Sequence, residues 1–290
     1  MRSPQNYALI CPVRDEEENL RRLADAIVVQ TRTPSAWVIV DNGSSDETLG
    51  VASALAERHD WVRVLEVPGA ELALPGQPVV RAFHAGVAAL EEFPDVIVKL
   101  DGDVSMSADH FESLLAEFER DPILGIAGGV CLELSDGEWV AIHTTIDHVR
   151  GAVRAYRREC LEAVLPLAEC VGWDGIDELK AQVGGWTTRT LPQLSFFHHR
   201  KLGARDPGRT RRWRAQGRGA HYMGYRFSYL VFRSVFHARR DPAALMMVAS
   251  YLAAALRREP RYEDAAVRAH LRRRQGLWQL GARLREAQGR

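Results

Sequence analysis

The chain has little cysteine, and none of it is arranged in pairs. Cys11, Cys131, Cys160 and Cys170 are its four thiols in 290 residues, without any Cys-x-x-Cys spacing. That scatter suits reduced core residues of a cytoplasmic protein, and no zinc site follows from it. A long hydrophobic run is missing too. The longest, residues 243–256, contains Ser250 and Tyr251 and falls short of a membrane span. The N-terminus, Met1-Arg-Ser-Pro-Gln-Asn, leads directly into a strand pattern, so no signal peptide is expected. With 46% hydrophobic and 26% charged residues, the chain is long enough for one large α/β domain, or one domain with an appendage.

Net charge is also absent, but only in the sum. Residues 200–290 hold 22 Lys+Arg against 6 Asp+Glu, which leaves 16 basic and 32 acidic residues for 1–199. An acidic body at −16 is joined to a basic C-terminal third at +16. Such asymmetry suits an anionic partner for the basic third, or mutual neutralisation of the two parts.

The stretch Val96-Ile-Val-Lys-Leu-Asp101-Gly102-Asp103 organises the rest. A short apolar strand ends in two carboxylates with one glycine between them. Carboxylates at the end of a buried strand need a cationic partner, and Mg²⁺ or Mn²⁺ fits oxygen ligands of this kind. A solvated turn would account for the same three residues.

Upstream, two further strands have the same ending. Residues 7–11 form a strand stopped by Pro12. A helix over 16–30 follows, with Leu20, Leu23, Ala24, Ile27 and Val28 on one face and acids in its first turn. Residues 37–40 form a second strand ending at Asp41-Asn42-Gly43-Ser44, and Ser44 with Glu47 fits a capping box for a helix reaching about His59. Strand-end acids at helix entries mark the edge where open α/β sheets bind ligands. A third strand over 61–67 and a helix over 79–93 carrying Arg81 complete the alternation, and Ser107 is placed to cap the next helix. The pattern predicts a three-layer α/β sandwich.

The second half has longer β segments, 124–134 and 139–156, around the turn Ser135-Asp136-Gly137. Then comes Gly172-Trp173-Asp174-Gly175-Ile176-Asp177-Glu178, where a carboxylate could serve as a general base or simply start a helix. A strand over 186–191 precedes Ser195-Phe-Phe-His198-His199, a strand end carrying imidazoles. Residues 200–218 are basic and glycine-rich, which suggests a mobile lid closing on phosphates. From His221 the pattern is helical, with Asp241-Pro242 opening a helix over 243–258. Arginines border its apolar stretches, as in helices lying on an anionic bilayer surface, although packing on the body or on a second subunit would use the same faces.

In order and spacing these motifs resemble the inverting glycosyltransferases of family 2, of the bacterial polysaccharide-biosynthesis type. Pro12-Val13-Arg14-Asp15-Glu16 is similar to that family's Pro-x-x-Asn-Glu, and Asp41-Asn42-Gly43-Ser44-Ser45-Asp46-Glu47-Thr48 to its Asp-Asp-Gly-Ser-x-Asp-x-Thr. Asp101-Gly102-Asp103 matches its Asp-x-Asp metal motif. Gly172-Trp173-Asp174 stands where the family has Gly-Glu-Asp, and Arg212-Trp213 resembles part of a Gln-x-x-Arg-Trp motif.

The resemblance implies a GT-A fold, a Rossmann-like three-layer sandwich with a mostly parallel sheet, plus C-terminal amphipathic helices. The expected division is a catalytic domain over 1–200, a basic lid over 201–220 and a helical region over 221–290. Within the catalytic domain, a nucleotide-sugar half ends near 104 and an acceptor half follows. Pro12, Arg14, Glu16, Asp41, Asn42, Gly43, Ser44, Arg81, Asp101, Gly102, Asp103, Arg212 and Trp213 would bind the nucleotide-diphosphate sugar. Asp101 and Asp103, with His198 or His199, would hold Mn²⁺ or Mg²⁺. Asp174 or Asp177 would be the base toward a saccharide or lipid-linked acceptor. A cytoplasmic location, peripheral on an anionic membrane surface, is expected, with no nucleic acid partner and room for a homo-oligomer.

Rival readings explain less. Asp101-Gly-Asp103-Val-Ser105 is also similar to a dehalogenase-type phosphatase loop, but that loop normally ends the first strand. A nucleotidyltransferase would need a glycine-rich first loop, and Cys11-Pro12-Val13 has no glycine. A non-catalytic anion- or membrane-binding module would leave the acids at 41, 101, 103, 174 and 177 without a purpose.

Overall fold

A computed structural model describes residues 6–69, 76–142, 145–170, 172–200 and 208–276. The chain divides into two compact units, Met1–Lys201 and Leu202–Arg290.

In the first unit β1 (Tyr7–Val13), β2 (Ala36–Asp41), β3 (Val62–Glu66) and β4 (Val96–Leu100) alternate with α1 (Glu17–Val28), α2 (Thr48–Arg58) and α3 (Gln77–Ala88). The second half adds β5 (Val104–Met106), α4 (His110–Arg120), β6 (Leu124–Ser135), β7 (Glu138–Ala141), β8 (Val153–Arg157), α5 (Arg158–Val164), α6 (Trp173–Val183) and β9 (Thr187–His198). One sheet runs β3-β2-β1-β4-β8-β6-β9-β5, with β7 beside β6. β1 to β4 pair in parallel, β6 and β9 run in their direction, and β5, β7 and β8 run against it.

Alternation along the strands explains the three layers. Leu9, Cys11, Ile39 and Val98 face one side, where α1, α2 and α4 deliver Leu20, Leu23, Leu55, Phe111 and Phe118. Ile10, Val38, Val40 and Ile97 face the other, against Val80 and Phe83 of α3 and Leu161 of α5. Both faces of the central strands are therefore apolar, which is the pattern of a doubly covered sheet. Each such side chain contributes about 1.5–3 kcal/mol on burial. α3 sits so close that a Cβ on Gly86 would lie 2.4 Å from Ile10 Cγ2.

Several local expectations change. Ser44 and Glu47 do not form a capping box: α2 has no side-chain cap at Glu47, and Asp46 Oδ1 instead accepts from Thr48 N at 3.0 Å. Ser107 does not cap α4, whose N-cap residue is Asp109. The segment expected as one β stretch over 139–156 is two strands, β7 and β8, and the described residues between them lie outside strands. Ile146, Asp147 and His148 are tied to β9 through Thr190 N and the hydroxyls of Thr188 and Thr190. β9 in turn is longer than the expected 186–191, because a register shift after Gly129 of β6 lets the strand continue past Pro192 to His198.

The second unit is helical: α7 (Arg209–Tyr222), α8 (Phe227–Ala238), a 3₁₀ turn (Pro242–Leu245), α9 (Met246–Leu256) and α10 (Ala265–Arg274). Of the expected lid, residues 201–207 lie outside the described residues, and from Arg209 the chain is helix rather than loop. Gly217 lets α7 meet α9, since a Cβ there would strike Met247 O at 2.2 Å. Leu230, Ala244, Met247 and Tyr251 form a small core. Among the described residues no helix is long and apolar enough to cross a membrane.

Candidate active site

The first two strand-to-helix loops are joined by side-chain hydrogen bonds. Asp41, buried at the end of β2, accepts from Gly43 N and Ser44 N, each at 3.1 Å, and from the Ser44 hydroxyl. That hydroxyl accepts from Asp15 N at 3.0 Å, and Asp15 Oδ1 accepts from Ser45 N at 2.7 Å. Glu16 N donates to Thr48 Oγ1 at 2.7 Å, and Glu17 N to Asp46 Oδ2 at 3.2 Å. Asp15 has a φ of 52°, a conformation that Asp tolerates better than most residues. Asn42 N bonds Val13 O at 2.9 Å, which brings the two loops level beyond Pro12. Gly43, at φ 71°, lies against Gly69.

Asp101 and Asp103 follow β4 on the same edge. The donor atoms of Asp101, Asp103 and His198 all lie within 4.8 Å of one another. His198 Nε2 is 3.3 Å from Asp103 Oδ1, with both side chains nearly buried. β5 pairs with β9 in the register Val104 to His198, and this carries the imidazole from the far strand to the motif. Burial opposes a charge on His198, but the Asp103 carboxylate holds its pKa up to about 10. Burial likewise raises Asp103, yet His198 and Arg200 bring it below the ordinary carboxylate range. Two carboxylates and an imidazole form a donor set that fits Mn²⁺ and admits Mg²⁺. His199 stands apart from this group: its Nε2 is 2.7 Å from Ser105 Oγ, and its ring meets Trp139 edge-on.

Cations already stand at these acids. Arg200 Nη1 donates to Glu16 Oε1 at 2.7 Å, while Arg200 Nε lies 3.8 Å from Asp103 Oδ2. Lys99 Nζ, buried within β4, pairs with Asp101 and donates to Gly151 O at 2.7 Å. Neither residue stood out in the sequence. A lysine inside a buried Val/Ile run must meet a carboxylate, and that was the available signal. At Gly102 the position of the missing Cβ faces Val13 Cγ1 at 3.0 Å and Glu16 Cγ at 3.4 Å, so the glycine lets the β1 end and Glu16 approach the Asp101/Asp103 turn.

Asp174 and Asp177, both on α6, have opposite surroundings. Asp177 is buried, with Arg154 Nη2 2.6 Å from Oδ1, Arg154 Nε 3.1 Å from Oδ2, and the Tyr156 hydroxyl donating at 2.5 Å. Burial pushes its carboxyl up to about 7, against the pull of Arg154. Arg154 also donates to Glu178 Oε1 at 3.0 Å, Asp174 O at 2.8 Å and Val149 O. Asp174 is half-buried, and its Oδ2 is 3.6 Å from where a Gly151 Cβ would stand. Gly151 thus connects Asp174 to Lys99 and the Asp101 group.

The other expected residues are more scattered. Arg81 pairs with Glu169 Oε2 at 2.7 Å on the surface, and Arg14 lies 3.8 Å from Asp15. Arg212 and Trp213 belong to the second unit, where Trp213 Nε1 donates to Asp241 Oδ2 at 2.8 Å.

The family model described as Glycosyl transferase family 2 matches residues 8–158, from the start of β1 to the start of α5. A curated relative from Pseudomonas fluorescens, an undecaprenyl-phosphate 4-deoxy-4-formamido-L-arabinose transferase, is 26% identical over 181 residues. That alignment covers 57% of this chain and 51% of the relative, so the chain spans about half the relative's length. Among solved structures, a Pyrobaculum calidifontis mannosyltransferase in complex with GDP-Man and Mn²⁺ is similar at a TM-score of 0.59 and 18% identity, over 98% of this chain and 81% of that one. S. aureus TarS 1–349 in complex with UDP is similar at 0.55 and 14% identity, over 73% and 64%. These structural likenesses show a shared fold, the GT-A sandwich.

Proposed function

The chain belongs to glycosyl transferase family 2, and on that premise we propose that it moves a sugar from a nucleoside-diphosphate sugar to an acceptor hydroxyl, inverting the anomeric carbon. The observation that carries this reading is the convergence of Asp101, Asp103 and His198 at the sheet edge that also carries Glu16 and Asp41. Asp103, Asp101 and His198 would hold Mn²⁺ or Mg²⁺, which when bound supplies positive charge for the departing diphosphate. Asp41 and the backbone at Gly43 and Ser44 receive the nucleoside, and Glu16 joins them when Arg200 turns toward the phosphates.

Asp174 is the base. It is half-buried beside Gly151, and its side chain lies outside the Arg154 network that occupies Asp177. It takes the acceptor proton while the acceptor oxygen attacks from the face opposite the leaving group. The curated relative's name supports a lipid-linked acceptor. Exposed Phe227, Phe232, Val235 and Leu256 in the arginine-rich second unit support contact with an anionic membrane surface.

Calorimetry with UDP and GDP, with and without Mn²⁺, tests the donor site. Mn²⁺ should tighten nucleotide binding in the native chain and have no effect in Asp103→Ala; equal Mn²⁺ enhancement in both would sink the assignment. Flotation with vesicles containing anionic lipid tests the membrane contact, and salt-insensitive or absent binding would refute it.

A further inference from the structure

His198 has two ring nitrogens, and only Nε2 faces Asp103. Its Nδ1 points the other way, buried and without a hydrogen-bond partner, into a second group of donors. Strand geometry creates that group. Cys131 and Glu133 are two apart on β6 and so share a face, and Glu133 pairs in register with His198 of β9. The donor atoms of Cys131, Glu133 and His198 lie within 4.8 Å of one another. Glu133 Oε1 is likewise buried without a hydrogen-bond partner, 3.7 Å from His198 Nδ1.

That separation is too long for a hydrogen bond. It is slightly longer than what one ion would impose, because two ligands each about 2.0–2.2 Å from a tetrahedral Zn²⁺ stand roughly 3.3–3.6 Å apart, so a small inward shift of the two side chains would seat the ion. We propose that Cys131, Glu133 and His198 form a second cation site, selective for thiophilic Zn²⁺-class ions, which shares His198 with the Asp101/Asp103 group.

The selectivity has two causes. A thiolate favours Zn²⁺ over Mg²⁺ or Mn²⁺. Arg150 Nη1, 3.6 Å from the same Glu133 oxygen, repels any ion held by charge alone. Zn²⁺ binding releases the Cys131 proton and the His198 Nδ1 proton to solvent and leaves one coordination position open. Once the imidazolium has lost a proton it offers a single lone pair, so an ion on Nδ1 leaves Nε2 protonated and unable to ligate an ion at Asp103. The two sites are therefore antagonistic, and Zn²⁺ acts as an inhibitor of Mn²⁺ binding.

Co²⁺ titration of the metal-free full chain reads the site directly. A near-ultraviolet thiolate-to-cobalt absorption is expected in the native chain, in Asp103→Asn and in Cys170→Ser, and is expected to vanish in Cys131→Ser. Glu133→Gln, which keeps the side-chain shape, should weaken Zn²⁺ about 10-fold or more while retaining the native melting profile. Absence of the absorption in the native chain, or its persistence in Cys131→Ser, overturns the proposal. Survival of the band in Asp103→Asn separates this site from the donor-site reading, whose failure would leave the band intact. Zn²⁺ should also weaken Mn²⁺ binding, read by paramagnetic resonance, more in the native chain than in Cys131→Ser, where only direct competition at the Asp101/Asp103 group remains; equal weakening in both would refute the shared imidazole.

Discussion

Asp103 and Asp177 are both buried acids facing an arginine, but their arginines are held differently. Arg200 keeps 26% of its side chain exposed and lies 3.8 Å from Asp103, with its other nitrogens on Glu16. Arg154 has 0% exposed and grips Asp177 at 2.6 Å, with Tyr156, Glu178 and two backbone carbonyls filling its remaining valences. The first arrangement can exchange a cation for an incoming ligand, whereas the second has no capacity left. A buried carboxylate is thus a candidate for chemistry when its counter-charge can leave, and a packing element when the counter-charge is fully saturated.

The strongest test of this contrast is to neutralise one acid on either side of Arg154's reach. Asp174→Asn should lower transfer by about 10²–10⁴-fold with nucleotide binding unchanged, whereas Asp177→Asn should lower stability by about 1–3 kcal/mol and leave most of the turnover. Steady-state kinetics beside thermal melts decide it, and loss of transfer in a stably folded Asp177→Asn chain would reverse the two roles. Next in size, Arg154→Met strands Asp177 and Glu178 together and should destabilise the chain by about 3–5 kcal/mol in denaturant titration. A loss below 1 kcal/mol would mean that the network is not what holds α6 on β8. The smallest effect sharpens the other side: Arg200→Gln removes a competing cation from Asp103 and should tighten Mn²⁺ a few-fold, read by calorimetry. Weaker Mn²⁺ binding in that variant would show Arg200 to be part of the site rather than its placeholder.

The strand-end acids were legible because each interrupts a run of apolar residues at a helix entry, and Glu16, Asp41, Asp101 and Asp103 do come to one sheet edge. Period and turn residues likewise located β1 to β4 and the helices between them. The Asp174/Asp177 pair could not be resolved in the same way. The partner that separates them, Arg154, lies 23 residues before Asp177 on another strand, so only the β8–α6 packing reveals it. Residues 145–152 looked extended because Asp147 and His148 are held through their carbonyls by threonine hydroxyls, which leave no periodic trace. Cys131 looked inert for a similar reason, since its neighbours come from register and not from spacing.

The hydrogen bonds between the first two loops also bear on engineering. Ser44, Ser45, Asp46 and Thr48 each bond to the backbone or side chain of Asp15, Glu16 or Glu17. Libraries that randomise one loop for a new donor would therefore disturb the other, and substitutions there should combine non-additively. Redesign of this edge has to treat residues 14–17 and 41–48 as one unit and exchange them together.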